Sequence, residues 1–334
     1  MKVIRNLLSL ESEIPYPVLT IGAFDGIHLG HQEIIRRVVG RSRERRGTSV
    51  LLTFRDHPQK VLDPPHAPFL ITPPGVKEEI LRGMGLDLLI QVPFSQTWAS
   101  MEARSFVEEI VVGKLSTKEL WVGFDFAFGK DRRGTLQELR AWGKELGFSV
   151  NVVPAVTIRG EVVSSTRVRG LLLQGRVAEA CSLLGHPYIV RGRVGPGSGR
   201  GRELGFPTAN LKPSRDFLLP DGVYAGFAKF AGRIYEAAIN IGKGPTLTGV
   251  NRRIEVHYLF DFQGDLYRRQ LEVHFWEKIR EERKFSGEQE LIDQIRQDIL
   301  RIGDILSGAG ARSSVMALQG STNVVKNESG DCKR

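Results

Sequence analysis

Cysteine is nearly absent: Cys181 and Cys332 are the only two in 334 residues. Such a pair gives neither a disulfide framework nor a zinc-ligand spacing, and Cys332, third from the end, does not form a prenylation box. Long apolar runs are also missing. No stretch approaches the roughly 18 apolar residues of a membrane-spanning helix, so no membrane partner is expected. The opening MKVIRNLLSLESEIPYP is too weakly apolar and too acidic for a secretory signal. A reducing cytoplasm is the simplest compartment. Two nucleotide-binding signatures are lacking as well: G-x-x-x-x-G-K-[ST] does not occur, and no G-x-G-x-x-G opens a helix in proper form. An acidic excess is lacking too, because 47 Lys and Arg face 38 Asp and Glu, a formal charge of +9. That balance suits anionic partners, either nucleic acid or phosphorylated small molecules, or it is simply a basic surface.

What is present falls into two patterns. At roughly 150 residues per domain, the length suggests two domains. In the first half, strand-like runs at 18–21, 49–54, 88–92, 120–122 and 149–153 alternate with helical patterns at 33–46, 102–112 and 135–146. Ile27, Ile34, Ile35, Val38 and Val39 share one helical face. Such alternation predicts an α/β fold with a parallel sheet covered on both sides. Two further helices, near 166–174 and 176–184, are expected to close this unit. The second half has short strand-like runs at 188–194, 223–230, 233–241, 254–262 and 271–276, parted by turn signals such as Asp221-Gly222 and Gly264-Asp265. One helix follows at 287–304, with Leu291, Ile295, Ile299 and Leu300 expected on one face. This is the pattern of a small antiparallel β-barrel or sandwich with a terminal helix. A boundary at Gly185-His186-Pro187 gives domains 1–185 and 186–306. Residues 307–334, rich in Ser, Gly and Asn, read as a disordered tail.

Three stretches carry chemistry. The first is GAFDGIHLGH, residues 22–31, after a strand and opening a helix. In open parallel sheets ligands sit beyond the carboxyl ends of strands. Gly22, Gly26 and Gly30 let backbone approach a ligand, the helix N-terminus favours phosphate, and His28 and His31, three apart, share a face. The bland alternative is a Gly-rich turn whose histidines cap a helix. The second is SSTRVR, residues 164–169. Ser164, Ser165 and Thr166 are good N-cap residues, but Arg167 and Arg169 in a first turn oppose the helix dipole, a cost that an anionic ligand would offset. Between these, VGFDFAFGKDRRGT (122–135) places Asp125 after a strand, with Phe124, Phe126 and Phe128 either in the core or walling a planar ring. Its run Lys130, Arg132 and Arg133 is either a solvated loop or a phosphate contact. The third is GRGRELGFPTANL (199–211), where the hydroxyl of Thr208 and the amide oxygen of Asn210 are hard ligands suited to Mg²⁺ beside phosphate. A basic loop of a nucleic-acid binder has a similar composition.

These motifs carry a resemblance. GAFDGIHLGH looks like the H-x-G-H motif of the adenylyltransferase superfamily, and SSTRVR resembles its second signature. GRELGFPTANL resembles the signature of riboflavin kinases. LPDGVYAG (219–226), NIGKGPTLTG (240–249), RIEVHYLFDFQGDLY (253–267) and IREERKFSGEQELIDQIRQDI (279–299) follow in the same order. Residues 15–305 thus resemble the bacterial bifunctional riboflavin kinase/FAD synthetase family. The resemblance implies a Rossmann-like nucleotidyltransferase domain that converts FMN and ATP to FAD, and a barrel that converts riboflavin and ATP to FMN, both with Mg²⁺. It implies catalytic roles for His28, His31 and Glu255. It implies nucleotide contacts from Gly22, Phe24, Asp25, Gly26, Ser164, Ser165, Thr166, Arg169, Gly201, Thr208 and Asn210, the last two also at the metal. Flavin contacts are implied for Phe54, Asp125, Phe128 and Arg280. One departure stands out: the family usually reads F-x-P-H-P after the second strand, and this chain has Asp56 in Phe54-Arg55-Asp56-His57-Pro58. That leaves open a chain with one live activity, the kinase. A nucleic-acid-binding barrel is the other alternative, although no RNP1-type motif or zinc spacing supports it. The oligomeric state is left open.

Overall fold

The computed structural model describes residues 1–10, 13–197, 199–212, 217–246, 249–258 and 266–308. Backbone contacts divide it into two compact units: Met1–Leu70 with Pro74–Ser165, and Ile71–Pro73 with Thr166 onward.

The first unit is built on a six-stranded parallel sheet, ordered β1-β4-β3-β2-β5-β6. Its strands are β1 (Lys2–Ile4), β2 (Pro17–Ile21), β3 (Thr48–Phe54), β4 (Leu88–Val92), β5 (Glu119–Gly123) and β6 (Ser149–Val153). All five strands of the sequence pattern are present. β1 adds an edge strand that three residues at a terminus do not announce. A small ribbon, β7 (Thr157–Ile158) with β8 (Glu161–Val162), follows. β2 to β4 are fully or almost fully buried, as strands covered on both faces must be. Helix Leu29–Glu44 buries Ile34, Ile35, Val38 and Val39. Ile27 is buried too, but it lies in the loop before the helix at φ +42°. The pattern at 102–112 becomes a helical turn, Ala103–Ser105, continued by a π-helix, Phe106–Lys114. Helix Pro74–Gly83 begins with Pro-Gly, which reads as a loop, although Pro suits a first helical turn. From the adjacent pair β2 and β5 the chain runs outward through β3 and β4 on one side and β6 on the other, with β1 added beyond β4. The crevice at their carboxyl ends is therefore the topological switch point, where such sheets bind ligands. GAFDGIHLGH leaves β2 there, and VGFDFAFG leaves β5.

The second unit holds a closed antiparallel barrel, β10-β13-β12-β11-β14-β9. The strands are β9 (Tyr188–Gly195), β10 (Thr208–Leu211), β11 (Gly222–Phe230), β12 (Arg233–Thr246), β13 (Gly249–Tyr258) and β14 (Gln270–Arg280). Closure removes exposed sheet edges. Helix Glu288–Ser307 buries Ile302 and Leu306 in a cluster with Val223, Ala225, Phe227 and Ile234. The expected face of that helix is partly wrong. Leu300 is 64% exposed, because nine residues from Leu291 is about half a turn around a helix of 3.6 residues per turn. The helices expected to close the first unit also differ. Helix Ser165–Leu173 spans the division, and helix Val177–Leu184 packs on β14 and β9 of the barrel. An apolar stripe shows that a helix covers a sheet but does not identify which one. Residues 259–262 of the expected fourth strand, Gly264-Asp265 and the expected tail beyond 308 lie outside the described residues.

Candidate functional site

In the first unit the site grows from the turn after β2. Phe24 (φ +46°), Gly26 (φ +87°) and Ile27 (φ +42°) all sit in the left-handed region. That region costs roughly 1–2 kcal/mol for a residue with a Cβ, so the turn needs support. Four side chains supply it. Lys77 Nζ and Thr53 Oγ1 both donate to Ala23 O, at 2.8 and 2.9 Å. Ser165 Oγ donates to Asp25 O at 2.9 Å, and Gln32 Nε2 to Ile27 O at 2.9 Å. The start of SSTRVR is thus fastened to the turn that precedes H-x-G-H, 140 residues away.

The two histidines form one stack, with ring centroids 3.7 Å apart. His28 caps the helix: its Nδ1 accepts from the backbone N–H of His31 at 3.3 Å. That leaves the proton of a neutral His28 on Nε2. His31 also meets the Phe24 ring at 4.7 Å. Its Nδ1 is buried and has no hydrogen-bond partner among the described residues. Burial first, then His28, then the Lys77 charge push the His31 imidazole well below the usual histidine value, so it is neutral at pH 7. A buried ring nitrogen without a partner among the described residues, at a helix N-terminus, suits an anionic oxygen when it carries the ring proton.

The remaining expected residues of this unit are placed as follows. Gly22, Phe24, Asp25 and Gly26 form the turn itself, with Phe24 and Asp25 buried. Asp125 is exposed, just past β5. Phe54 packs edge-on to Phe94 and Trp98 at the end of β3. Phe128 is 7% exposed and packs among Phe106, Phe126 and Trp142. It backs the wall from the core and does not offer a ring face, while Phe124 is the exposed aromatic of that segment. Ser164 is half-buried. Thr166, exposed, and Arg169, half-buried, fall in the second unit. Asp56 forms an exposed ion pair with Lys60 at 3.2 Å, which offsets the charge introduced in place of the usual Pro.

In the second unit strand register builds the site. Asn210 on β10 pairs with Glu255 on β13, which pairs with Asn240 on β12. The adjacent row, two residues along and so on the same face, is Thr208, His257 and Ala238. All six line a cavity of about 550 Å³. TANL (Thr208–Leu211) is therefore a strand, and its alternation is what aims Thr208 and Asn210 together. Asn210 Oδ1 is buried with no hydrogen-bond partner among the described residues. A Cβ on Gly197 would lie 2.3 Å from Asn210 Nδ2, so only glycine lets that backbone pass over the amide. An orphaned amide oxygen beside the Thr208 hydroxyl fits a hard divalent cation with bound phosphate. Gly201 lies on the same cavity, and Glu255, half-buried, does not point into bulk solvent. Burial lowers His257, whose Nδ1 donates to Pro207 O at 2.9 Å.

The far wall holds Arg280, clamped by Asp298: Nη2 lies 2.7 Å and Nε 2.9 Å from Oδ2. Phe285 lies beside the guanidinium, its centroid 5.8 Å away. Leu291, Ile295 and Ile299, one face of the terminal helix, complete an apolar slot. Sequence reasoning missed Lys77, Asn240, His257 and Asp298. Asn240 and His257 fall inside recognisable segments, but only register assigns them. No motif marks Lys77 or Asp298.

Comparison with known proteins matches this division. A family model for FAD synthetase matches residues 11–167, and one for riboflavin kinase matches residues 184–306. The chain is 37% identical over 303 residues to the bifunctional riboflavin kinase/FMN adenylyltransferase of Escherichia coli, covering 90% of this chain and 96% of that protein. It is 36% identical over 300 residues to that of Haemophilus influenzae, covering 90% and 97%. A crystal structure described as a macrolide-efflux protein from Streptococcus pneumoniae matches with a TM-score of 0.81 at 33% identity, over 91% of this chain and 98% of that one. Among the described residues, no helix is long and apolar enough to cross a membrane.

Proposed function

The chain belongs to the bifunctional riboflavin kinase/FMN adenylyltransferase family, and from that premise we propose which residues carry each step. It phosphorylates riboflavin with ATP to give FMN, then adenylylates FMN with a second ATP to give FAD and pyrophosphate.

For the kinase step, the row Asn210–Glu255–Asn240 on one cavity is the observation that carries the assignment. Glu255 takes the proton of the riboflavin 5′-hydroxyl as the hydroxyl oxygen attacks the γ-phosphorus of ATP, and the bond from that phosphorus to the β,γ-bridging oxygen breaks to release ADP. Thr208 and Asn210 hold the cation and the phosphates, with Gly201 on the nucleotide side. Mg²⁺, when bound, neutralises phosphate charge. The flavin ring lies against the slot of Phe285, Leu291, Ile295 and Ile299, with Arg280 held in place by Asp298.

For adenylyl transfer, an FMN phosphate oxygen attacks the α-phosphorus of ATP, and the bond to the bridging oxygen breaks to release pyrophosphate. His31 donates from Nδ1 to an α-phosphoryl oxygen, and His28 donates from Nε2 while its Nδ1 caps the helix. The turn Gly22–Gly26 follows the nucleotide. Ser164 and Ser165 hold the leaving pyrophosphate. Phe54 and Asp125 border the flavin, with Phe128 behind them.

A cytoplasmic setting belongs to the same reading. It rests on the low cysteine content and on Cys181 being buried, its thiol pushed up to about 12 by that burial. The test is incubation with riboflavin, ATP and Mg²⁺ followed by chromatography of the flavins. FMN and FAD are both expected. FMN alone would mean an inert first unit, and neither product would overturn the assignment.

A further inference from the structure

We propose that Lys77 is a positioning residue of the adenylyl-transfer site, acting through the Ala23 carbonyl and, by its charge, on the His31 imidazole. The proposal rests on reading His31 as a donor to the α-phosphate.

Lys77 lies on helix Pro74–Gly83 and is 3% exposed. Lysine is almost never this buried without a reason, because taking an ammonium from water is costly. Its Nζ donates to Ala23 O at 2.8 Å, and Thr53 Oγ1 already donates to the same oxygen at 2.9 Å. A neutral donor therefore satisfies that carbonyl, and a second neutral group would be the cheaper reinforcement. The charge needs its own explanation.

The surroundings supply one. The carbonyl that Lys77 grips immediately precedes Phe24, the first left-handed residue of the turn, and Phe24 packs on His31. His31 Nδ1 is buried with no hydrogen-bond partner among the described residues. The titratable groups that interact with this pocket are Asp25 on the turn and His28 and His31 on the helix that follows. Glu78, beside Lys77 on its own helix, is paired with Arg5 at 2.7 Å. Burial lowers Lys77 to about 8 while the Asp25 charge acts to raise it, and Lys77 in turn contributes to the lowering of His31. While Lys77 is charged it disfavours a second positive charge on His31 and so helps to hold the imidazole neutral. The same cation adds positive potential where negative charge develops on the phosphoryl oxygens.

The test uses the full chain, assayed separately for FAD from FMN and ATP and for FMN from riboflavin and ATP. In Lys77→Met, kcat for FAD formation should fall roughly tenfold to a hundredfold, the scale of a slightly misplaced catalytic group. The KM for FMN should hold, pyrophosphorolysis of FAD should fall by the same factor, and FMN formation should be unchanged. The His31 titration midpoint, followed by imidazole NMR, should rise. Thr53→Val removes only the neutral donor and should leave that midpoint in place. If Lys77→Met does not fold, Lys77→Gln, which retains a donor without the charge, carries the same expectations. Unchanged FAD formation in a folded variant overturns the proposal, as does a loss of activity with no rise in the His31 midpoint. His31→Ala separates the premise: if it still makes FAD at the native rate, the reading of His31 fails. If it is inactive while Lys77→Met is native-like, only the Lys77 proposal fails.

Discussion

In the α/β unit the candidate phosphate site hangs on a loop. Phe24, Gly26 and Ile27 hold left-handed conformations there, fastened from four directions by Lys77, Thr53, Ser165 and Gln32. In the barrel the site is part of the sheet. Asn210, Glu255, Asn240, Thr208 and His257 stand where register and alternation put them. The first arrangement needs supporting side chains from distant sequence, because a loop has no ladder of its own. The second needs almost none, because strand pairing fixes direction for every second residue. The same contrast appears in buried charge. The loop site keeps a buried cation bonded to the Ala23 carbonyl, with no carboxylate in an ion pair with it among the described residues. The barrel's buried carboxylate Glu272 is instead matched by cations.

The largest effect that would break this comparison is a crossed loss of activity. Glu255→Gln should lower FMN formation by about 10²–10⁴ while FAD formation from supplied FMN persists. His31→Ala should lower FAD formation by about 10²–10³ while FMN formation persists. Two separate assays on each folded variant check this, and either variant losing both activities would refute two independent sites.

Stability against pH should also part the units. For Glu272, burial acts to raise the carboxyl, but the His274 hydrogen bond and the charges of His274, Arg191 and Lys229 hold it down at about 2. Its pKa is depressed on folding, so the folded barrel stays ionised where the unfolded chain takes up a proton. About 3 kcal/mol present above pH ~4.5 should be lost as the pH falls toward ~2. Lys77 is the reverse case, a cation lowered from 10.5 to about 8 by burial. Below pH 8 its penalty is complete. Between pH 8 and 10.5 the unfolded chain binds the extra proton, so the α/β unit should gain about 3 kcal/mol. Hydrogen exchange resolved by unit measures both. Lys77→Met should abolish the alkaline gain and leave the acid loss.

The smallest effect sharpens the barrel side. Gly197→Ala drives a methyl group into the Asn210 amide. The KM for ATP in FMN formation should rise roughly tenfold, the scale of mild overpacking. FAD formation should not change.

Much of this was legible in the residues. Five parallel strands, five of the six barrel strands and the terminal helix follow from period and turn chemistry. Ser165 is fastened to the Asp25 carbonyl in the turn that precedes the two histidines. What was not legible has physical causes. TANL reads as loop because its polar residues face a cavity rather than solvent, and period alone does not separate the two. Val177–Leu184 looks like any helix that covers a sheet, and its burial on β14 and β9 depends on partners it does not encode locally. Phe128 alternates like a platform residue but is drawn into the core by Phe106 and Trp142.

By itself, the sequence determined the two patterns of hydrophobic alternation and the order of the phosphate motifs, because these depend on the spacing of side chains along one strand or one helix. Only the tertiary structure decided which atoms meet. It placed β2 beside β5 so that two loops share a switch point. It set Asn240 and His257 beside the TANL strand by register, and it slid an ammonium from helix Pro74–Gly83 beneath Ala23. Those pairings join residues far apart in the chain, and such contacts are fixed by long-range packing that no local period records.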